Sequence, residues 1–170
     1  MPAAKVDSMA VLLLPGPLEG FEREEHARSL LSIPRVVALE ASRRRPPSWL
    51  RNAAPLRQAR RLRLPGQLRM VVLYDPAQYP LARALCAQHE DAELWYLPPD
   101  RATVSGRNGQ ETQELLVSDS LARDRSTRTL TETPPGDSYH DDLRLRLREL
   151  DVINGRVFIP EARFTRRVGL

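Results

Sequence analysis

Met9-Ala-Val-Leu-Leu-Leu14, closed by Pro15-Gly16-Pro17, is an unbroken run of six apolar residues that stops at two prolines and a glycine. A strand with water on one face alternates polar and apolar residues. A strand covered on both faces reads as a short continuous apolar run between breakers, and this stretch has that form. Three more runs share it: Arg35-Val-Val-Ala-Leu39, Arg69-Met-Val-Val-Leu-Tyr74 and Glu93-Leu-Trp-Tyr-Leu97. Between them the period changes. Residues 18–31 place Phe21, Ala27, Leu30 and Leu31 roughly a helical turn apart, with Glu19, Glu22, Glu24 and Glu25 near the start, where the helix dipole favours acids. Residues 79–89 put Leu81, Ala84, Leu85 and Gln88 on one helical face, with Pro80 in the first turn.

Strand, helix and strand joined by short links imply right-handed crossovers and a parallel sheet. The expected fold is therefore α/β: a three-layer Rossmann-like domain with a mostly parallel sheet over residues 1–100. Residues 101–170 are expected to be a less regular continuation or extension of the same domain. Ser105-Gly106-Arg107-Asn108-Gly109 reads as a loop, residues 115–123 fit either a short strand or a helix, and residues 128–133 alternate like a strand. For residues 138–150 two templates compete. Leu143, Leu147 and Leu150 suit a helix capped by Asp137 or Ser138, while Leu143, Leu145 and Leu147 alternate with arginines and lead to Asn154-Gly155, as in a hairpin. Asp141 and Asp142, placed in what would be the first turn, favour the helix.

A length of 170 residues, with 41% hydrophobic and 28% charged residues, fits one globular domain. The longest apolar run is far short of the roughly 20 residues that cross a bilayer. Asp7 stands where a secretory leader would be basic, so the expected location is cytoplasmic. Cys86 is the only cysteine and makes with His89 just half of a metal-ligand pair, so neither a disulfide nor a metal is expected, and no motif calls for a cofactor.

The formal charge of +4 is unevenly spread. Residues 41–70 hold nine arginines and no acid, while the segments on either side are each net acidic. Arg43, Arg44 and Arg45 precede a proline-broken loop; Arg57, Arg60, Arg61 and Arg63 fall on or beside a short helix expected over residues 56–64. Such a cluster can neutralise phosphates of nucleic acid or another polyanion, giving salt-sensitive binding. Its plain alternative is a solvated basic face, since Leu56, Ala59, Leu62 and Leu64 offer the helix an apolar side to bury. Twenty-five of the 26 basic residues are arginine, a bias that genomic base composition also produces.

In open parallel sheets, ligands bind beyond the carboxyl ends of the strands. Gly16 stands there after the first run and lets the backbone approach a ligand, although Gly-Pro-Leu-Glu-Gly is neither a dinucleotide fingerprint nor a Walker loop. Asp75 follows the third run as a candidate general base or hydroxyl acceptor; the competing role is a turn in which it bonds nearby amides. His26 is a second candidate base. Tyr79, Tyr96 and Asp100 are candidate substrate-binding residues, the rings as stacking surfaces. Alternation along a strand sends Trp95 and Tyr96 to opposite faces.

The run Arg69-Met-Val-Val-Leu-Tyr-Asp-Pro-Ala-Gln-Tyr-Pro-Leu-Ala-Arg-Ala-Leu-Cys-Ala-Gln-His, followed by Ala92-Glu-Leu-Trp-Tyr, resembles the amino-terminal half of bacterial GT-B glycosyltransferases. The opening Ala-Val-Leu-Leu-Leu-Pro-Gly-Pro and the helix Phe-Glu-Arg-Glu-Glu-His-Ala-Arg look like the start of the same domain. The resemblance covers residues 9–100. It implies a Rossmann-like domain that binds the sugar acceptor, with the nucleotide-sugar donor held by a second domain. Two departures stand out: Tyr96-Leu97 replaces the family's frequent Tyr-Asp, and the donor-binding half with its glutamate-rich motif is missing. The implied activity is glycosyl transfer only when a donor-binding partner completes the enzyme. The alternative is a non-enzymatic module that binds nucleic acid through residues 43–69. The apolar residues Val157, Phe158, Ile159 and Phe164 add the expectation of a homo-oligomer contact.

Overall fold

A computed structural model describes residues 7–19, 23–40, 53–99, 109–130 and 138–153. The expected strands form in order. They are β1 (Ser8–Leu14), β2 (Val36–Glu40), β3 (Gln67–Leu73) and β4 (Glu93–Tyr96), with a two-residue β5 (Arg128–Thr129). The helices between them are α1 (Glu24–Leu31), α2 (Ala53–Arg61), α3 (Tyr79–Gln88), α4 (Gly109–Arg125) and α5 (Ser138–Glu149), and a single 3-10 turn, Pro76–Gln78, leads into α3. Every pairing is parallel and the strand order is β2-β1-β3-β4-β5. This α/β, three-layer, Rossmann-like arrangement matches the expected fold class. The order belongs to the flavodoxin-like doubly wound type, not to the dinucleotide-binding order 3-2-1-4-5-6.

All seven residues of β1 are buried, as its unbroken apolar run requires of a central strand. The sheet's two faces each have a core. Ala10, Leu12, Leu14, Met70, Val72 and Trp95 pack under α1 and α5, while Val11, Leu13, Val71, Leu73 and Tyr96 pack under α2, α3 and α4. Such a distribution follows from right-handed crossovers once β3 returns to the far side of β1. A glycine is required just before β3: a Cβ on Gly66 would collide with the Asp7 carbonyl oxygen, which accepts the Gln67 amide at 2.9 Å.

The open choices beyond residue 100 resolve towards helices. Residues 115–123 lie inside α4, and residues 138–149 form α5. Leu143 and Leu147 are fully buried while Leu145 is 54% exposed, so the helical spacing outweighs the alternation. At the end of α5, Asp151 is left-handed (φ 60°) and the Val152 amide closes on the Leu147 carbonyl at 2.9 Å, turning Val152 and Ile153 into the core. In the described residues α1 begins at Glu24, later than the expected residue 18, and α2 is Ala53–Arg61, a few residues ahead of the expected 56–64. The proposed turn at Asn154-Gly155 and the apolar segment at Val157–Phe164 lie outside the described residues. Among the described residues no helix is long and apolar enough to cross a membrane.

Candidate functional site

The strand order reverses between β1 and β3, which puts the crevice at their carboxyl ends, beside Pro15-Gly16-Pro17 and Tyr74-Asp75-Pro76. Three cross-links frame it. Gln78, buried in the 3-10 turn, donates from Nε2 to the Leu14 carbonyl at 2.9 Å and ties the exit of β3 to the end of β1. The Tyr74 hydroxyl and His26 Nδ1 share a hydrogen bond of 2.9 Å that ties β3 to α1. Arg23 donates to the Pro98 carbonyl at 2.7 Å and ties the approach to α1 to the exit of β4.

Asp75 sits at the mouth, half-buried, and its Oδ1 accepts the Ala77 amide at 2.9 Å. That bond caps the 3-10 turn, the plain role weighed for it in the sequence. Its second carboxylate oxygen takes no bond from any described residue and can accept one from a ligand. Gly16 lies half-buried in the bend after β1.

The other expected site residues divide between the two faces of the sheet. His26 and its partner Tyr74 lie on the α1 side, with the rings edge-on and their centroids 5.8 Å apart. Tyr79 and Tyr96 are buried in the core on the opposite side. Tyr96 donates from its hydroxyl to Asp119 Oδ1 at 2.5 Å, and Arg123 Nε holds the other oxygen of Asp119 at 2.8 Å. Burial first, and then the Asp119 carboxylate, push the phenol well above its ordinary value; the charge of Asp75 adds to the effect, which makes Asp75 and Tyr96 electrostatic neighbours. Trp95 points the other way, as alternation requires, yet it too is buried, because both faces of β4 are covered. Asp100 lies outside the described residues, as do Arg43, Arg44 and Arg45. Arg57, Arg60, Arg61 and Arg63 are all exposed and lie away from the crevice.

Sequence reading missed Asp119, Arg123 and Arg23. The i, i+4 spacing of Asp119 and Arg123 was visible, but without a helix assigned over residues 115–123 it carried no meaning. Gln78 stands in the stretch 75–78 just beyond the third run, a position that marks it for the crevice, but nothing local announces its bond to Leu14.

The electrostatics of the crevice are those of an acceptor-rich site. The first turn of α1 carries Glu24 and Glu25, so its amide dipoles already face acids. The turn before α3 is capped by Asp75, and Pro80 removes an amide from the first turn of α3 itself. No side chain caps the first amides of either α-helix, but Glu24 and Glu25 at α1 and Asp75 ahead of α3 place negative charge beside them, which disfavours a phosphate. Available instead is the outer oxygen of Asp75; the Gln78 Oε1 has no hydrogen-bond partner among the described residues but is sealed from solvent. No group of three or more histidine, cysteine or acidic side chains suited to a metal occurs among the described residues. No family model, no curated protein and no solved structure matches the chain.

Proposed function

We propose that the chain is a glycosyltransferase-like acceptor-binding domain whose β1/β3 crevice takes a neutral, hydroxyl-rich ligand. Glycosyl transfer then requires a partner that binds the nucleotide sugar. The observation that carries this reading is the outer carboxylate oxygen of Asp75, which no described residue engages at the switch point. Hydroxyl groups donate to carboxylate oxygens, whereas a phosphate would meet the negative charge of Asp75 there. Asp75 is a better base candidate than His26, because Tyr74 engages His26 Nδ1. In a completed enzyme Asp75 takes the proton of the acceptor hydroxyl as that oxygen bonds the anomeric carbon and the nucleoside diphosphate departs.

The test is nuclear magnetic resonance titration of the isolated chain with mono- and oligosaccharides and, separately, with nucleoside diphosphates. Sugars are expected to shift the amides of Gly16, Ala77 and Gln78, and nucleoside diphosphates are not. Asp75→Asn keeps the capping oxygen but removes the charge, and it should weaken sugar binding about 10- to 100-fold, the worth of one hydrogen bond to a charged group. Shifts by nucleotides in place of sugars, or sugar binding untouched by Asp75→Asn, would reject the reading.

A further inference from the structure

The arginines divide by whether a described acid answers them. Arg28 pairs with Glu24, Arg35 with Asp7 and Arg69 with Asp91; Arg123 pairs with Asp119, Arg128 with Asp142, and Arg146 with both Glu93 and Glu149. Arg23 and Arg144 donate to Pro98 and Ser29. Among the described residues, those with neither an ion pair nor a hydrogen bond are Arg57, Arg60, Arg61, Arg63, Arg83 and Arg125, and all six are exposed. All lie on or beside α2, α3 and α4, the helices of one face of the sheet. On α4, Asp124 adjoins Arg125, so the uncompensated charge concentrates on α2, its exit and the neighbouring α3.

On α2 the arginines cluster. Arg57, Arg60 and Arg61 are spaced i, i+3 and i+4, which puts three guanidinium groups on one side of two turns while Ala59 faces the core. Like charges at this spacing repel, and the carboxyl end of the helix dipole offsets part of that repulsion for Arg60 and Arg61. A bound anionic chain would relieve the rest. We infer that α2, with Arg63 and Arg83 beside it, is a binding surface for the phosphate backbone of nucleic acid, engaged without regard to base sequence. Nucleic acid is favoured over a lipid surface because a membrane-lying helix must offer its apolar face to the bilayer. The apolar side of α2 is already packed: Ala59 is buried and Leu62 and Leu64 lean on the core, leaving only Leu56 exposed at 47%.

The surface lies apart from the crevice. Crossover helices run antiparallel to the strands, so Arg60, Arg61 and Arg63 stand near the start of β3, at the end of the sheet opposite Asp75.

Fluorescence anisotropy of the full chain with a 20-base DNA duplex tests this across 50–200 mM salt. Four phosphate contacts by Arg57, Arg60, Arg61 and Arg63 give a log–log salt slope of about −3.6, a loss of roughly a hundredfold over that range. Arg57→Gln with Arg61→Gln should lower the slope by about 1.8, and both sites are exposed, so the fold is retained. Arg28→Gln removes one arginine charge on α1, outside the patch, and should leave the slope alone. No measurable binding at 50 mM salt, an unchanged slope in the double variant, or an equal drop in Arg28→Gln would overturn the inference. Binding to phosphatidylserine vesicles but not to the duplex would also overturn it and point to a membrane surface. Because Asp75→Asn leaves this surface intact, failure here does not bear on the crevice reading.

Discussion

The Tyr96 hydroxyl shows how much one atom does at a covered strand end. It is the donor that the half-covered Asp119 carboxylate receives from the sheet, while Arg123 supplies the other from the same helix. Tyr96→Phe removes that donor and is expected to cost about 1–3 kcal/mol of stability, read as a lower urea midpoint with an unchanged slope. The same group sets a pH response. A phenol held above its ordinary value of 10 by burial stabilises the fold fully below pH 10, and that contribution fades as pH rises beyond it. The variant should lack this alkaline loss. At this scale the sequence was half legible. Alternation correctly sent Trp95 and Tyr96 to opposite faces, but the partner of Tyr96 lies 23 residues further on, in a segment whose own structure the pattern left undecided.

Elements were legible where one face of a pattern was buried and obscure where it was not. Leu143 and Leu147 settle α5 because both are enclosed, with Leu145 left outside. In α4 only Leu115 and Ala122 are buried among the apolar residues of its described side chains, while Leu116, Val117 and Leu121 are exposed, so no clean period appeared. Two ionic links join α5 to the sheet: Asp142 pairs with Arg128 of β5, and Arg146 grips the Glu93 carboxylate at the start of β4, where the Trp95 indole donates to the same group at 3.0 Å. These partners, Arg146 foremost, hold Glu93 below its ordinary value of 4.5. A depressed carboxyl contributes stability above pH 4.5, and the contribution drains as pH falls through the lowered value. Thermal melts between pH 6 and 3 should therefore show an acid-side loss in the wild type that Glu93→Gln flattens; identical acid limbs would deny the link any role. Much of the pair is open to water, so its effect should shrink in high salt.

Across the whole molecule, periodicity made the sheet's parallel character legible but not its order, since strand order depends on which way each crossover turns and no local pattern encodes that. The crevice could be located only after β1 and β3 were known to be neighbours on opposite sides of the reversal. The Asp75 crevice and the α2 arginines share no side chain, so their energetics should add. A triple variant, Asp75→Asn with Arg57→Gln and Arg61→Gln, is expected to lose sugar affinity and salt slope by the same amounts as its parents; a deviation beyond about 0.5 kcal/mol in either would mean that the two communicate. The position of β1 has one more consequence, in the making of the protein. β1 is read first, yet one of its two edges waits for β3, whose last residue, Leu73, lies 59 positions after Leu14. At about 5–20 residues per second, a ribosome takes roughly 3–12 s to cover that distance. Throughout that interval the most apolar strand of the chain has an open edge, and a nascent-chain chaperone has its strongest reason to hold it.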